Sequence, residues 1–185
     1  MFAIEMAERY APILDRSFYD RPTVEVARDL LGKVLVHEKA AGRIVEVEAY
    51  LGLDDRAAHA SHGLTQRTKV LFGPPGHAYV YLIYGMYNCL NLVTEPEGRP
   101  GCVLIRAIEP LAGIERPASG PGKLTMAMGI TRQHNGADIT QGPLTVRRLP
   151  SEPAFEVRVT PRIGIRQEVD RPLRFLVAGS RFVSR

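Results

Sequence analysis

The chain has 185 residues, of which 45% are apolar and 24% are charged. These values are ordinary for a globular protein with a hydrophobic core, and the length favours one domain over residues 1–185. With 17 Gly and 14 Pro, the composition excludes collagen-like and disordered chains, and two cysteines exclude a disulfide-stapled scaffold.

The basic residues are nearly all arginine, and their excess lies near the C terminus. Residues 1–146 carry 15 basic and 16 acidic side chains, whereas residues 147–185 carry 9 basic and 4 acidic ones. Because the arginine fork recognises phosphate, this segment indicates a nucleic-acid partner and contacts with several DNA phosphates. A genome that prefers arginine codons would produce the same composition, so charge alone leaves both readings open.

The first third of the chain predicts one helix and two strands. The helix begins after Arg21-Pro22, and Gly32 ends it. A short strand is expected over 33–36 and a longer one over 43–50. A polar stretch follows, with a short helical segment expected over 54–62.

The middle of the chain contains a charge-free stretch, since residues 70–94 include no Asp, Glu, Lys or Arg. The length would suffice to span a membrane, but the stretch contains prolines, glycines and asparagines and its later part alternates with period two. We therefore predict strands over 78–83 and 86–93, joined by a hairpin whose tip is Tyr84-Gly85. No contact with a membrane is expected.

The remaining pattern continues the sheet. A loop over 95–101 leads into a buried strand over 102–108, and a short helix over 123–128 ends at Gly129. From about residue 144, Arg alternates with apolar residues, which indicates further strands. Strands outnumber helices and hairpins connect them, so we predict an α+β fold on a mainly antiparallel sheet with short helices.

Two carboxylates share one face of the strand over 43–50. Alternation places Ile44, Glu46, Glu48 and Tyr50 on this face, with neighbouring members of the set roughly 6.5–7 Å apart. Mutual repulsion and burial would both raise a carboxyl pKa towards neutrality, which is how a general base is tuned. The alternative is that the face is simply solvated, although the ring of Tyr50 beside Glu48 weakens that alternative.

Tyrosines cluster around the predicted hairpin, at positions 79, 81, 84 and 87. Tyrosine is a good strand former, and this is the plain explanation for Tyr79 and Tyr81. A large ring at the hairpin tip, as at Tyr84, is instead typical of a stacking platform or a wedge that opens a base step in the minor groove.

Two polar residues lie in otherwise apolar strands. Asn91 must find hydrogen-bond partners, either within the sheet or on the edge of a bound base. Arg106 is the single charge of its strand and must pair with an anion: an internal carboxylate such as Glu48, a substrate phosphate, or both.

Histidine and cysteine residues give no strong metal signal. His59 and His62, three residues apart, could ligate a metal together with the glutamates, but no HExxH motif or cysteine pair accompanies them. We therefore expect no metal, and we interpret His59 as a hydrogen-bonding or stacking residue. Cys89 and Cys102 lie in apolar strands and are predicted to be packing residues.

These residues fall within long motifs that resemble the alkyladenine (3-methyladenine) DNA glycosylases. The motifs are RIVEVEAYLG at 43–52, AH at 58–59, FGPPGHAYVYLIYGMY at 72–87, Asn91, VLIRAIEP at 103–110 and GPGKL at 120–124. They occur in the family's order, and the resemblance covers about 18–130. It implies one α+β domain with an antiparallel sheet and a β-hairpin that enters the DNA minor groove.

The resemblance also implies a reaction: hydrolysis of the N-glycosidic bond of alkylated or deaminated purines after base flipping. The expected substrates are of the 3-methyladenine, 7-methylguanine, hypoxanthine and ethenoadenine class. Glu48 matches the general base that activates the attacking water, and Arg106 matches its partner, which helps to hold that water and the DNA backbone. No lysine resembles a Schiff-base nucleophile, so a monofunctional glycosylase that needs no cofactor is expected.

Further residues match the family's base pocket and DNA contacts. Tyr50, His59 and Tyr81 resemble the rings that enclose the flipped base. Tyr84 resembles the side chain that intercalates into the gap, and Asn91 the residue that senses the purine edge.

Arg67 and Lys123, of which Lys123 lies in the GPGKL motif, are predicted to contact the DNA backbone. The partner is damaged double-stranded DNA, and a cytoplasmic monomer acting at the bacterial nucleoid is expected. The segment 111–119 departs from the family, whose members often carry a longer and more basic stretch there.

Two other functions are compatible with parts of the pattern. A minor-groove binding protein without catalysis would use Tyr84 and the basic surface but would not need Glu48 or Arg106. A metal-dependent hydrolase would use His59, His62 and the glutamates, and chelators would inactivate it.

Overall fold

The computed structural model describes residue 10 and residues 12–184. The strands of the described chain are β1 (Val34–His37), β2 (Ala40–Tyr50), β3 (Ala78–Ile83), β4 (Tyr87–Thr94), β5 (Gly101–Ala112), β6 (Leu144–Arg147), β7 (Val157–Thr160) and β8 (Arg174–Val177). They form one sheet in the order β3-β4-β5-β2-β1-β6, with β8 paired to β2 and β7 paired to β8. Every pairing is antiparallel.

The helices are few and short. They are α1 (Arg16–Tyr19), α2 (Thr23–Leu30) and α3 (Pro121–Met128), together with 3₁₀ turns at Gly52–Asp54, His59–His62, Lys69–Phe72 and Arg132–His134. The predicted α+β fold with a mainly antiparallel sheet is confirmed. The expected helical segment over 54–62 is two 3₁₀ turns instead of an α-helix.

Residues 70–94, which carry no charge, form a 3₁₀ turn and the β3–β4 hairpin. Among the residues described, no helix is long and apolar enough to cross a membrane.

Period-two alternation gives the sheet two different buried faces. One face packs against α2 and α3 through side chains such as Val47, Leu92 and Ile105, and it forms the main hydrophobic core. The opposite face carries the polar and aromatic candidates. Cross-strand pairing aligns one row of them through Tyr79↔Asn91, Asn91↔Leu104, Glu48↔Leu104 and Glu48↔Arg174. The row crosses five strands, so candidate residues from distant parts of the sequence lie on one side of the sheet.

The β2–β5 ladder contains two irregularities close together. Its register passes from Ile44↔Ile108 to Glu46↔Ala107 and then to Val47↔Ile105, so Val45 and Arg106 have no partner in this ladder. Ile44 consequently packs in the core together with Val45, and the prediction that Ile44 shares the face of Glu46 is wrong. A β-bulge re-aims side chains locally, and here it brings Arg106 to the carboxylate face.

Candidate active site

Two adjoining cavities open on the polar face of the sheet. The inner one, of about 60 Å³, is lined among others by Tyr50, His59, Tyr81 and Asn91. The outer one, of about 790 Å³, is lined by Tyr50 and Tyr81 again and by Tyr84, Arg106 and Lys123. The two tyrosines therefore form the boundary between a narrow pocket and a wide entrance.

Glu48 lies directly behind this boundary and is 0% exposed. Its Oε1 accepts a hydrogen bond of 2.7 Å from the backbone N–H of Ile163, and its Oε2 accepts one of 3.0 Å from the hydroxyl of Tyr50. Arg106 Nη1 lies 3.5 Å from Oε2. The solvated alternative for this face is thereby excluded, because the carboxylate is sealed and held by three groups.

Burial raises the pKa of Glu48, and Arg106 and the two hydrogen bonds oppose that rise. The nearby charge of Glu46 raises the Glu48 pKa further, as the smallest of these effects. The Glu48 pKa is therefore raised, with burial rather than carboxylate repulsion as the main cause.

Glu46 has the opposite character. It accepts hydrogen bonds from Arg106 Nε at 3.0 Å and Arg174 Nε at 2.7 Å, and from the backbone and side chain of Ser184 at 2.5 and 2.8 Å. Burial alone would raise its pKa, but these donors outweigh burial and lower the Glu46 pKa. Arg106 therefore pairs with internal carboxylates and bridges the two glutamates.

Four rings surround the inner cavity. The centroids of His59 and Tyr81 are 4.5 Å apart and those of Tyr79 and Tyr81 are 5.6 Å apart. Tyr50 lies at the end of β2 and lines the same cavity. The sequence analysis explains Tyr79 as a plain strand former. Its position two residues before Tyr81 on one strand does, however, predict that the two rings share a face. The rings form an aromatic enclosure of the kind that holds a planar base.

His59 is held in one tautomer. Arg67 Nη2, which can only donate, lies 3.4 Å from His59 Nε2, so Nδ1–H donates to the hydroxyl of Tyr79 at 2.9 Å. Burial, followed by the charges of Arg67 and His62, lowers the pKa of His59 to about 4. The imidazole is accordingly neutral at pH 7 and does not repel a cationic ligand in the pocket.

Asn91 lies at the base of the inner cavity with its amide fixed. Its Nδ2 donates to the Tyr79 carbonyl at 3.2 Å, and the Cys102 thiol donates to its Oδ1 at 3.8 Å. Burial raises the pKa of the Cys102 thiol to about 12, so the thiol stays protonated and serves as a donor. Both cysteines are buried and free.

The hairpin tip is exposed and strained. Tyr84 and Gly85 have φ angles of 52° and 69°, and the N–H of Met86 donates to the Ile83 carbonyl at 3.2 Å. Positive φ at both central residues is typical of a type I′ turn, a conformation that a bulky side chain rarely adopts. The Tyr84 ring is 82% exposed, so the turn holds a large ring in solvent at the edge of the outer cavity.

The two predicted backbone contacts occupy different places. Lys123 is exposed and lines the outer cavity together with Arg181. Arg67 lies beside the aromatic enclosure, with its guanidinium carbon 5.6 Å from the Tyr81 ring centroid. The arginines of the basic C-terminal segment do not all face solvent. Arg162 and Arg174 form ion pairs with Asp55 and Glu46. Exposed side chains of the segment include Arg148, Arg158, Arg166 and Arg181.

Several residues of the site carried no sequence signal. Ile163, Arg174 and Ser184 contact the two glutamates from loops and a short strand more than 100 positions away. The residues around them form no motif that would predict these contacts. Within residues 10 and 12–184, no three His, Cys, Asp or Glu side chains gather closely enough to hold a metal ion.

Comparison with known proteins gives a consistent result. The profile of the methylpurine-DNA glycosylase (MPG) family matches residues 17–181. A protein of Methanocella arvoryzae is 54% identical, covering 94% of this chain and 96% of its own length. Proteins of Alkaliphilus oremlandii and of Legionella pneumophila (strain Corby) are each 48% identical over 93% of this chain and 98% of theirs. All three bear the name "Putative 3-methyladenine DNA glycosylase". The resemblance read from the sequence is confirmed: the chain belongs to the methylpurine-DNA glycosylase family and is an enzyme that hydrolyses N-glycosyl bonds in DNA.

Proposed function

We propose that this protein excises alkylated and deaminated purines from double-stranded DNA by direct attack of a water molecule that Glu48 activates. The observation that carries the proposal is the buried Glu48 carboxylate next to the aromatic pocket. It forms an ion pair with Arg106 and accepts hydrogen bonds from Ile163 and Tyr50. A protein that only bound the minor groove would have no use for such a carboxylate.

Glu48 supplies two effects in this mechanism. Each of its oxygens accepts a direct hydrogen bond and retains a further lone pair, which can accept a hydrogen bond from a water molecule. The carboxylate takes a proton from that water as it attacks the sugar carbon. The negative charge also stabilises the positive charge that develops on the sugar as the base departs.

The pocket suits a purine that carries a positive charge. Alkylation at N3 or N7 makes the purine cationic, so it departs as a neutral base, whereas a deaminated purine such as hypoxanthine must also gain a proton from solvent as it departs. Electron-rich rings attract cations. Tyr50, Tyr79 and Tyr81 provide such faces, and the neutral His59 adds no repulsion. The fixed amide of Asn91 faces the inner cavity and serves to test the edge of the base.

DNA is held in the proposal by the edge of the outer cavity. Tyr84 fills the gap left by the flipped nucleotide, and Lys123 and Arg67 approach the flanking phosphates. The enzyme acts as a cytoplasmic monomer with no cofactor, and all of its chemistry comes from the base, the water and the side chains described.

The test uses duplexes with one hypoxanthine or one 7-methylguanine, incubated with enzyme in the presence of EDTA and analysed for free base. The wild-type protein is expected to release both bases. Glu48→Gln, which keeps the volume of the side chain, is expected to bind the lesion but to release base about 10²–10⁴-fold more slowly. Near-wild-type release by Glu48→Gln would contradict the proposal, and inactivation by EDTA would favour the metal-dependent alternative.

A further inference from the structure

A buried ion pair lies behind the catalytic face and belongs to none of the assigned site motifs. Arg162 Nη1 and Nη2 donate to the two carboxylate oxygens of Asp55 at 2.6 and 2.9 Å, and both side chains are 0% exposed. Asp55 also accepts from the backbone N–H groups of Leu51 and Ala57 at 3.0 and 3.2 Å. The pair therefore ties the loop after β2 to the loop between β7 and β8.

Arg162 is linked to both neutral donors of Glu48, to one through its guanidinium and to the other through the backbone. The central carbon of the guanidinium lies 4.6 Å from the centroid of the Tyr50 ring, and the hydroxyl of that ring donates to Glu48 Oε2. The next residue along the chain, Ile163, supplies the N–H that donates to Glu48 Oε1. Arg162 also donates to the Ala49 carbonyl at 3.0 Å, between Glu48 and Tyr50 on β2.

Arg162 thus fixes the position of groups that contact both oxygens of Glu48 while remaining out of contact with solvent. The contacts of its guanidinium are with Asp55, the Ala49 carbonyl and the Tyr50 ring, which are all groups of the protein, so we assign it no direct contact with DNA. Its neighbours instead make it the link between the loop that leads to His59, the ring of Tyr50 and the loop that carries Ile163.

We infer that Arg162, paired with Asp55, is a positioning residue that orients Glu48 for water activation by fixing the Ile163 N–H and the Tyr50 hydroxyl. This role rests on the proposed function, because it requires Glu48 to be the base. It predicts that disturbing the pair weakens the chemical step and the ionisation of Glu48 but leaves the affinity for DNA unchanged.

The charged and titratable groups that surround Glu48 define what a pH profile would report. They are Glu46 and Tyr50 on β2, Cys89 on β4, Arg106 on β5, Arg162 in the β7–β8 loop and Arg174 on β8. Hydrogen bonds to the ionised carboxylate favour ionisation, so loss of the Ile163 and Tyr50 donors moves the acid limb of activity to higher pH.

The experiment measures single-turnover base release against pH for wild type, Arg162→Lys and Asp55→Asn. A duplex with one 7-methylguanine is used, because this base carries a fixed charge and the acid limb then reports the enzyme. Lysine keeps the charge of Arg162 but not the paired fork or the stacking plane. Both variants are expected to react about 10- to 100-fold more slowly, with the acid limb raised by about one pH unit and the Kd for lesion DNA within about twofold of wild type.

Arg16→Lys is the matched control, since Arg16 donates to Asp138 at 2.8 Å far from Glu48. This variant tests loss of an ion pair without loss of the Glu48 donors, and its acid limb is expected to stay in place. The inference is overturned if folded Arg162→Lys and Asp55→Asn keep the wild-type acid limb, or if their slower reaction is matched by Arg16→Lys at equal folded fraction.

One measurement needs no variant of the pair. In the wild-type protein the amide proton of Ile163 should shift with pH at the midpoint of the acid limb, and Glu48→Gln should abolish that shift. An Ile163 amide that does not titrate would overturn the inference even if Arg162→Lys failed to fold. If wild type released no base, or Glu48→Gln remained active, the proposed function itself would fail, which is a different outcome.

Discussion

Replacing the two neighbouring glutamates of β2 should give opposite results, although both changes are Glu→Gln on one strand face. Glu46 is the shared acceptor of two guanidiniums and of Ser184, and the donors lie at 2.5–3.0 Å. Glu46→Gln removes the charge that pairs with Arg106 and Arg174, so Arg174 loses its carboxylate partner and Arg106 keeps only Glu48, at 3.5 Å. Removing one partner of a buried ion pair costs about 3–5 kcal/mol, so we expect the free energy of unfolding to fall by that amount.

Glu48→Gln should leave stability nearly unchanged. Burial is the main influence on Glu48 and raises its pKa, so the folded state already disfavours the charge. Glutamine keeps the volume and can accept from Ile163, and we expect a change in the free energy of unfolding of less than about 1 kcal/mol at pH 7. The loss appears in base release, by about 10²–10⁴-fold.

The pH dependence of stability separates the two glutamates further. The folded-state pKa of Glu46 is lowered from its ordinary value of 4.5, so its contribution is present above that pH and is lost as the pH falls. The folded-state pKa of Glu48 is raised, so its ionisation opposes folding as the pH rises above 4.5. The stability gap between wild type and Glu46→Gln should therefore narrow on acidification below about pH 4.

Urea denaturation followed by circular dichroism at pH 7 and at lower pH measures these differences, together with single-turnover base release on the same preparations. The reasoning is refuted if Glu46→Gln unfolds within 1 kcal/mol of wild type at pH 7, or if Glu48→Gln is the destabilised variant. Equal loss of activity at equal stability would show that the two carboxylates share one catalytic role.

Three further predictions concern DNA contact and the pocket. Tyr84→Ser should weaken retention of the flipped state by about 1–3 kcal/mol without lowering the melting temperature, as seen by fluorescence of a 2-aminopurine neighbour; unchanged flipping would make Tyr84 an ordinary turn residue. Lys123→Ala and Arg181→Ala should each reduce the slope of log affinity against log salt by about 0.9, whereas Arg148→Ala, in a separate groove, should leave it unchanged. The free energy of unfolding should fall as the pH drops from 6.5 towards about 4, because His59 binds a proton in the unfolded chain at a higher pH than in the folded protein. Urea titrations of His59→Gln should lack that decline.

Local sequence was sufficient to predict most of the helices and strands. Alternation on β2 to β5 predicted which side chains share a face, and Gly32, Gly129 and the Tyr84-Gly85 turn marked element ends. The alternation predicted the wrong face for Ile44, because a one-residue bulge between Ile44 and Glu46 reverses the face of the side chains beyond it. A bulge set by pairing with β5 leaves no mark in the sequence of β2.

The partners of the charged residues could not be predicted. Sequence reasoning named a carboxylate or a phosphate for Arg106 and treated the C-terminal arginines as one DNA-binding segment. The structure places Arg162 and Arg174 in internal ion pairs with residues more than 100 positions earlier. Such pairings depend on how the β7–β8 loop folds back over β2. Neither the hydrophobic period nor the number of charges in the sequence predicts that packing.

Different segments of the chain supply the aromatic rings of the pocket and the partners of the two glutamates. The rings of the aromatic pocket come from residues 50–81, whereas Glu48 receives its backbone donor from Ile163, and Glu46 is charge-balanced partly by Arg174. Under the proposed mechanism, changes in the last quarter of the chain act on the ionisation and orientation of the carboxylates, and changes near the hairpin act on the base and the DNA. Because the rings and the groups around Glu48 belong to separate segments, the proposal predicts that the pH dependence of the enzyme can change while its pocket stays the same.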